Sequence, residues 1–405
     1  MKEIVVIGAG AIGLATAWRL AGRGDRVRVF ERGEPGEESS GVAAGMLALG
    51  AEADPHSLAL APFRRHCAAL YPEFAREVER DSGLDVGFER RGTLAVGFSA
   101  YDLERLRERE RDARAQGLAV RTLDGEEARA LEPALSPRIA AALRFPDDHA
   151  IDPRRLSRAL LAAALGRGVQ MWDHCPVHRI VVRDSAVTAV EHARGRTECS
   201  HAVLAAGAWS GQIEGLPEAL RAPVRPVRGQ ILRLRPAAGG LEDRRSGDGG
   251  STTPVRGGAS PLLTHVVRGP EAYLVPRADG DLLLGATSEE KGYAKQVTVE
   301  GVLGLLRAAY EMVPGVADFA VAEALSGLRP ASRDGLPLLG PCAVRGLLYA
   351  TGHYRSGILL VPGTAEAIAA WIEDREPAPE ARGFGIERAV ESGAGAHAAA
   401  EALRW

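Results

Sequence analysis

Gly8-Ala9-Gly10-Ala11-Ile12-Gly13 is the stretch that decides the fold. Before it runs Glu3-Ile4-Val5-Val6-Ile7, a short β-branched apolar run of the kind a fully buried strand carries. After it, Ala11, Leu14, Ala15 and Trp18 fall on one face of a helix that extends to Arg23, with Gly24 as its C-cap. Val27 to Phe30 is a second buried strand, and Glu31 ends it. The unit is therefore βαβ. Gly8 permits the tight turn, Gly10 lets the backbone approach a pyrophosphate, and Gly13 lets helix pack close on strand. Ala11 and Ile12 open the helix, whose free N–H groups and dipole favour the phosphates. A carboxylate at Glu31 suits ribose hydroxyls and repels a 2′-phosphate. These residues predict a dinucleotide site without separating NAD from FAD.

The rest of the chain sets bounds on that site. At 405 residues it is long enough for two or three packed units, and a net charge of -3 argues against nucleic acid as a partner. No stretch has the apolar length of a membrane span, and the N-terminus runs straight into a strand without a cleavage site. A cytoplasmic protein with no membrane partner is expected. Cys67, Cys175, Cys199 and Cys342 lack paired spacing, so neither a disulfide framework nor a metal site is expected.

Further elements punctuate the chain. Residues 102–117 read as a charged, exposed helix. Asp152-Pro153 marks a helix start, an N-cap acid followed by proline at the first position. Val203 to Ala206 reads as a third buried strand, ending in Gly207-Ala208-Trp209-Ser210. Leu347 to Thr351 reads as a fourth, with a helix following to about Glu373. Nucleotide-binding strands thus stand at the start, middle and end of the chain. Residues 237–261 read as a flexible loop and 375–405 as a loose tail.

Ser39-Ser40-Gly41-Val42-Ala43-Ala44-Gly45-Met46-Leu47 follows the first unit. Near the end stand Gly327-Leu328-Arg329-Pro330, Asp334-Gly335-Leu336-Pro337 and Gly352-His353-Tyr354-Arg355-Ser356-Gly357-Ile358-Leu359. Between them lie Val177, Arg228-Gly229-Gln230, Tyr273-Leu274-Val275-Pro276-Arg277 and Gly285-Ala286-Thr287. Together these resemble the glycine oxidases of the thiamine pathway, within the D-amino-acid oxidase family of FAD-dependent oxidoreductases.

The resemblance implies an α/β fold, α+β overall. A glutathione-reductase-type FAD-binding domain would be drawn from 1–82, 146–222 and 323–374. A substrate domain on a large antiparallel sheet would come from 83–145 and 223–322. Ser39, Ser40, Ala44, Gly45, Met46 and Leu47 would wrap the flavin and pyrophosphate, with Val177 on the adenine side. Gly207, Gly352, His353, Tyr354, Ser356, Gly357, Ile358 and Leu359 would complete the cofactor site. Arg329 would clamp the substrate carboxylate, Tyr273 would hydrogen-bond it, and Arg355 would stand beside the flavin. Gly327 occupies the place of a flavin-tethering cysteine in related sarcosine oxidases, so FAD would be non-covalent. Ser288 and Glu271 depart from the family pattern near the substrate. The implied partners are a small amino acid or amine and O2, with self-association left open. The implied reaction is oxidation of glycine with release of H2O2. A D-amino-acid or sarcosine oxidase, a dehydrogenase using another acceptor, and a non-catalytic FAD-binding protein are the alternatives.

Overall fold

A computed structural model describes residues 1–21, 23–51, 58–237 and 261–391. The opening unit is β1 (Glu3–Ile7), α1 (Ala11–Ala21) and β2 (Arg26–Phe30). β1 and β2 pair in parallel. They sit inside a six-stranded sheet whose order runs Leu338–Pro341, Leu347–Thr351, His201–Leu204, β1, β2, Gln170–Trp172. All its pairings are parallel except that between the first two strands named. Helices α1, Ala61–Ser82, Pro153–Gly166 and Val361–Ile372 bury their apolar faces with this sheet around Leu14, Trp18, Phe63, Tyr71 and Ile368. As the sequence predicts, Asp152 caps its helix, accepting from the N–H groups of Arg154 and Arg155.

The glycines of the turn are there for space. Gly8 has φ +106°, and a Cβ on it would stand 2.5 Å from the Ala205 carbonyl oxygen. A Cβ on Gly13 would stand 2.0 Å from the Gly8 oxygen. Because that oxygen belongs to backbone, α1 itself would have to move. Gly13→Ala should cost about 1–3 kcal/mol of stability as an overpacked site. It should also weaken dinucleotide binding, measured by denaturant unfolding and cofactor titration; an unchanged midpoint would mean that helix and strand have slack.

The second layer is an eight-stranded, largely antiparallel sheet. Its order is Phe319–Ala331, Arg225–Pro236, Leu282–Gly285, Tyr273–Pro276, Val266–Arg268, Thr93–Gly97, Ala141–Phe145, Arg121–Asp124. Only Val266–Arg268 and Thr93–Gly97 run parallel. Its outer face packs on helix Val299–Met312 through Leu305, Ala309 and Met312, beside Leu232 and Leu284.

Two boundaries differ from expectation. Residues 323–331, expected in the FAD-binding layer, continue the long strand Phe319–Ala331 and pair with Arg225–Pro236 in the antiparallel sheet. Residues 375–391 are no loose tail. Phe384 and Ile386 are buried, the Phe384 carbonyl accepts from Leu339 N–H, and Arg388 bridges Asp334. Most of the 237–261 stretch and residues 392–405 lie outside the described residues. No described helix is long and apolar enough to cross a membrane.

Candidate active site

The six-stranded layer and the antiparallel sheet enclose a cleft of about 1640 Å³ between them. That exceeds the ~300–1,000 Å³ of an ordinary small-ligand pocket and suits a dinucleotide with a further small molecule. The carboxyl ends of β1 and β2 open into it, as α/β sheets place their ligands.

At the glycine turn, Gly8, Gly10, Ala11, Ile12 and Glu31 line the cleft. Glu31 is buried and is already engaged. One carboxylate oxygen accepts from Ala9 N–H at 2.7 Å and the other from Gly33 N–H at 3.0 Å. Its first structural task is thus to brace the turn. Ser40 Oγ accepts from Ala11 N–H at 2.9 Å, at the helix N-terminus, and Ser39 Oγ donates to the Leu328 carbonyl. Ser39, Ser40, Ala44, Gly45 and Met46 all line the cleft. The Ala44 carbonyl accepts from Arg277 at 2.6 Å, and the same buried guanidinium holds the Ile151 carbonyl at 3.0 Å. Burial depresses the Arg277 pKa, and its two carbonyl bonds tie this lining segment to strand Tyr273–Pro276.

Val177 and Gly207 also line the cleft, as do His353, Tyr354, Arg355, Ser356, Gly357 and Ile358. Tyr71 fixes this last segment by donating to the Ile358 carbonyl at 2.7 Å. His353 is buried beside Thr364 Oγ1 at 3.0 Å, and burial pulls its pKa down to about 3. It is neutral near pH 7 and shapes the wall rather than carrying charge. Four expected residues stand behind the lining. Gly13 and Gly352 serve close backbone packing, Leu47 is buried in a short strand, and Leu359 belongs to the helical core.

Arg329, Tyr273 and Arg355, far apart in the chain, meet at this cleft. Arg329 Nη1 donates to the Thr287 carbonyl at 3.0 Å, with the Arg228 carbonyl at 3.5 Å. Thr287 is held in turn. Its hydroxyl donates to Glu289 at 2.6 Å, and Glu289 also accepts from Gln230 at 2.7 Å and from buried Arg228. Burial pushes the Glu289 carboxyl up, but the donors Arg228, Thr287 and Gln230 outweigh it and hold the carboxylate below its usual range. Arg355 is exposed, its guanidinium 5.4 Å from the Tyr354 ring centroid.

Sequence reasoning missed two groups. Arg32 lies 4.1 Å from the Trp209 ring centroid, and both line the cleft. Position beside Glu31 and within the Gly207 turn was the available signal. Arg105 and Arg109, one turn apart on helix Ala100–Ala115, also line it, so the helix read as simply exposed turns one face inward.

A glycine-cradled dinucleotide cleft roofed by an antiparallel sheet bearing arginine and tyrosine suits a two-layer dinucleotide-dependent oxidoreductase. The sequence profile of the FAD dependent oxidoreductase family, DAO, matches residues 3–371, and the chain belongs to that family. Its cofactor is FAD. The chain is 32% identical over 391 residues to a glycine oxidase of Geobacillus kaustophilus, covering 96% of this chain and 97% of that protein. It is 33% identical over 380 residues to the bifunctional protein ThiO/ThiG of Trichormus variabilis; this covers 93% of the chain but only 54% of the relative. The chain thus spans about half the length of such bifunctional relatives. The crystal structure of glycine oxidase from Geobacillus kaustophilus superposes with a TM-score of 0.84 at 31% identity, covering 96% of this chain and 98% of that one.

Proposed function

We propose that this protein oxidises glycine, and other small primary or secondary amines, to the imine and then the 2-oxo acid. Electrons pass to O2, and the cytoplasmic reaction supplies thiamine thiazole synthesis. For glycine the balance is glycine + O2 + water to glyoxylate, ammonia and H2O2. The observation that carries this reading is the convergence of Arg329 and Tyr273 on the cleft face of the antiparallel sheet, opposite the glycine turn. Likeness to glycine oxidases over nearly the whole chain supports it.

FAD, when bound, would supply the acceptor for the hydride that leaves the substrate carbon. Gly8, Gly10, the α1 N-terminus and Ser39 to Met46 would hold it. The protein's task is then orientation. One Arg329 nitrogen is tied to Thr287, which leaves the rest of the planar fork for a carboxylate. The Tyr273 hydroxyl would hold the same carboxylate. No base is assigned, because an amine bound in its neutral form needs none. Ser288 and Glu271 line the cleft and would select among amines.

An anaerobic screen of flavin bleaching should show reduction by glycine, with sarcosine, D-alanine and L-proline as comparisons. Reduction by L-proline or D-alanine alone would move the assignment to another amino acid. Acid precipitation should leave the yellow colour in the supernatant. Gly327 offers no nucleophile, and a Cβ there would already lie 3.0 Å from Val42 Cβ. Colour retained in the pellet would overturn non-covalent binding.

A further inference from the structure

The geometry assigns Gly229 and Gly285 as positioning residues, the missing side chains of which form the slots that receive Arg329 and Tyr273. This rests on the reading of Arg329 as the carboxylate clamp. Gly229 stands inside its strand and Gly285 ends one; in a strand glycine packs nothing and is a poor choice unless something must approach closely. The register shows what approaches. In the antiparallel pair, Val227 faces Arg329 and Gly229 faces Gly327. The Arg329 side chain therefore crosses diagonally over Gly229, two residues along the same face. A Cβ on Gly229 would stand 2.3, 2.4 and 2.5 Å from Nη1, Nη2 and Cζ of Arg329. The guanidinium plane lies on bare backbone.

Gly285 repeats the arrangement. It pairs directly with Tyr273, and a Cβ on it would stand 2.5 Å from the Tyr273 hydroxyl oxygen and 2.6 Å from Cζ. Gly229 and Gly285 also line the same sheet face through Ile231, which pairs with Gly285. Neither glycine has a positive φ. The atoms in the way are the ends of two long side chains. An added methyl therefore has a cheap escape, pushing those ends aside and leaving the sheet intact.

The test uses the FAD-loaded protein and glycolate, a carboxylate of glycine's size that lacks the amine, titrated by the flavin absorbance. Gly229→Ala should retain FAD and its melting temperature yet weaken glycolate by on the order of 10- to 100-fold, as a misplaced binding group does. In the Arg329→Ala background the same methyl should add nothing, since no guanidinium remains to displace. Wild-type affinity in Gly229→Ala beside a weakened Arg329→Ala would overturn the slot alone. So would a further, additive loss in the double variant. Wild-type affinity in Arg329→Ala would overturn the clamp and the slot together. Should Gly229→Ala fail to accumulate, the double variant must still fold and bind FAD; its failure too would show that Gly229 serves the sheet instead.

Discussion

Arg329→Ala should cut kcat/KM for glycine by about 10²- to 10⁴-fold while the protein stays yellow. Arg329 is half-buried at the cleft, its Nη1 fixed by the Thr287 carbonyl at 3.0 Å. Once substrate and flavin fill the cleft, the proposed pairing with a carboxylate would be shielded from water. Removing one partner of such a pair costs about 3–5 kcal/mol, because the other charge stays unpaired. At about 1.4 kcal/mol per tenfold this gives the range stated. Arg329→Lys should recover little, since an ammonium keeps charge but loses the planar fork, and with it the simultaneous hold on Thr287 and carboxylate. The measurement is H2O2 formation against glycine concentration, with the flavin spectrum recorded alongside. An alanine variant within about tenfold of wild type would make Arg329 a structural residue and send the search for the clamp to Arg355.

Glu31→Ala should weaken FAD and also lower stability. Read from the sequence, the Glu31 carboxylate serves the ribose, so its loss would weaken FAD more than it harms folding. The structure gives the carboxylate a further task. The carboxylate satisfies the buried Ala9 N–H and the Gly33 N–H as well as facing the cleft. A buried amide left without an acceptor costs about 1–3 kcal/mol. Gly33 is only half-buried, so water can replace its partner. The melting temperature should fall, and FAD affinity should fall further, because the Gly8 to Gly10 backbone loses its brace along with the proposed ribose contact. Glu31→Gln, keeping one acceptor oxygen, should lie between. Fluorescence titration with FAD and thermal melts on the same samples separate the two effects. Affinity lost at constant melting temperature would restore the purely ribose role, and unchanged affinity would leave Glu31 a strand end.

Reading Glu31 correctly in place but not in contacts illustrates a wider division. The glycine turn, α1 and both flanking strands lie within one local unit, and each residue's requirement is set by neighbours a few positions away. Such requirements leave a pattern in sequence. Residues 375–391 show the opposite case. Their Ala, Glu, Gly and Pro composition has no period, yet Phe384 and Ile386 are buried by elements from elsewhere in the chain. Helix Ala100–Ala115 has a charged composition that conceals which face meets the cleft.

By itself, then, the sequence determined the βαβ dinucleotide unit, the capped helix at Asp152 and, through resemblance, many but not all of the residues that line the cleft. Those features depend on local backbone demands: a turn that excludes Cβ, a strand end needing a carboxylate, a helix needing a cap. Only the tertiary structure decided what stands against them. The Arg329 guanidinium crossing Gly229, the Tyr273 ring over Gly285 and the Arg277 bonds to Ala44 and Ile151 join residues of different strands and layers. The physical reason is register. A one-residue slip between Arg225–Pro236 and Phe319–Ala331 would send Arg329 to the other face of the sheet, and no composition or period along a single strand records which register is made.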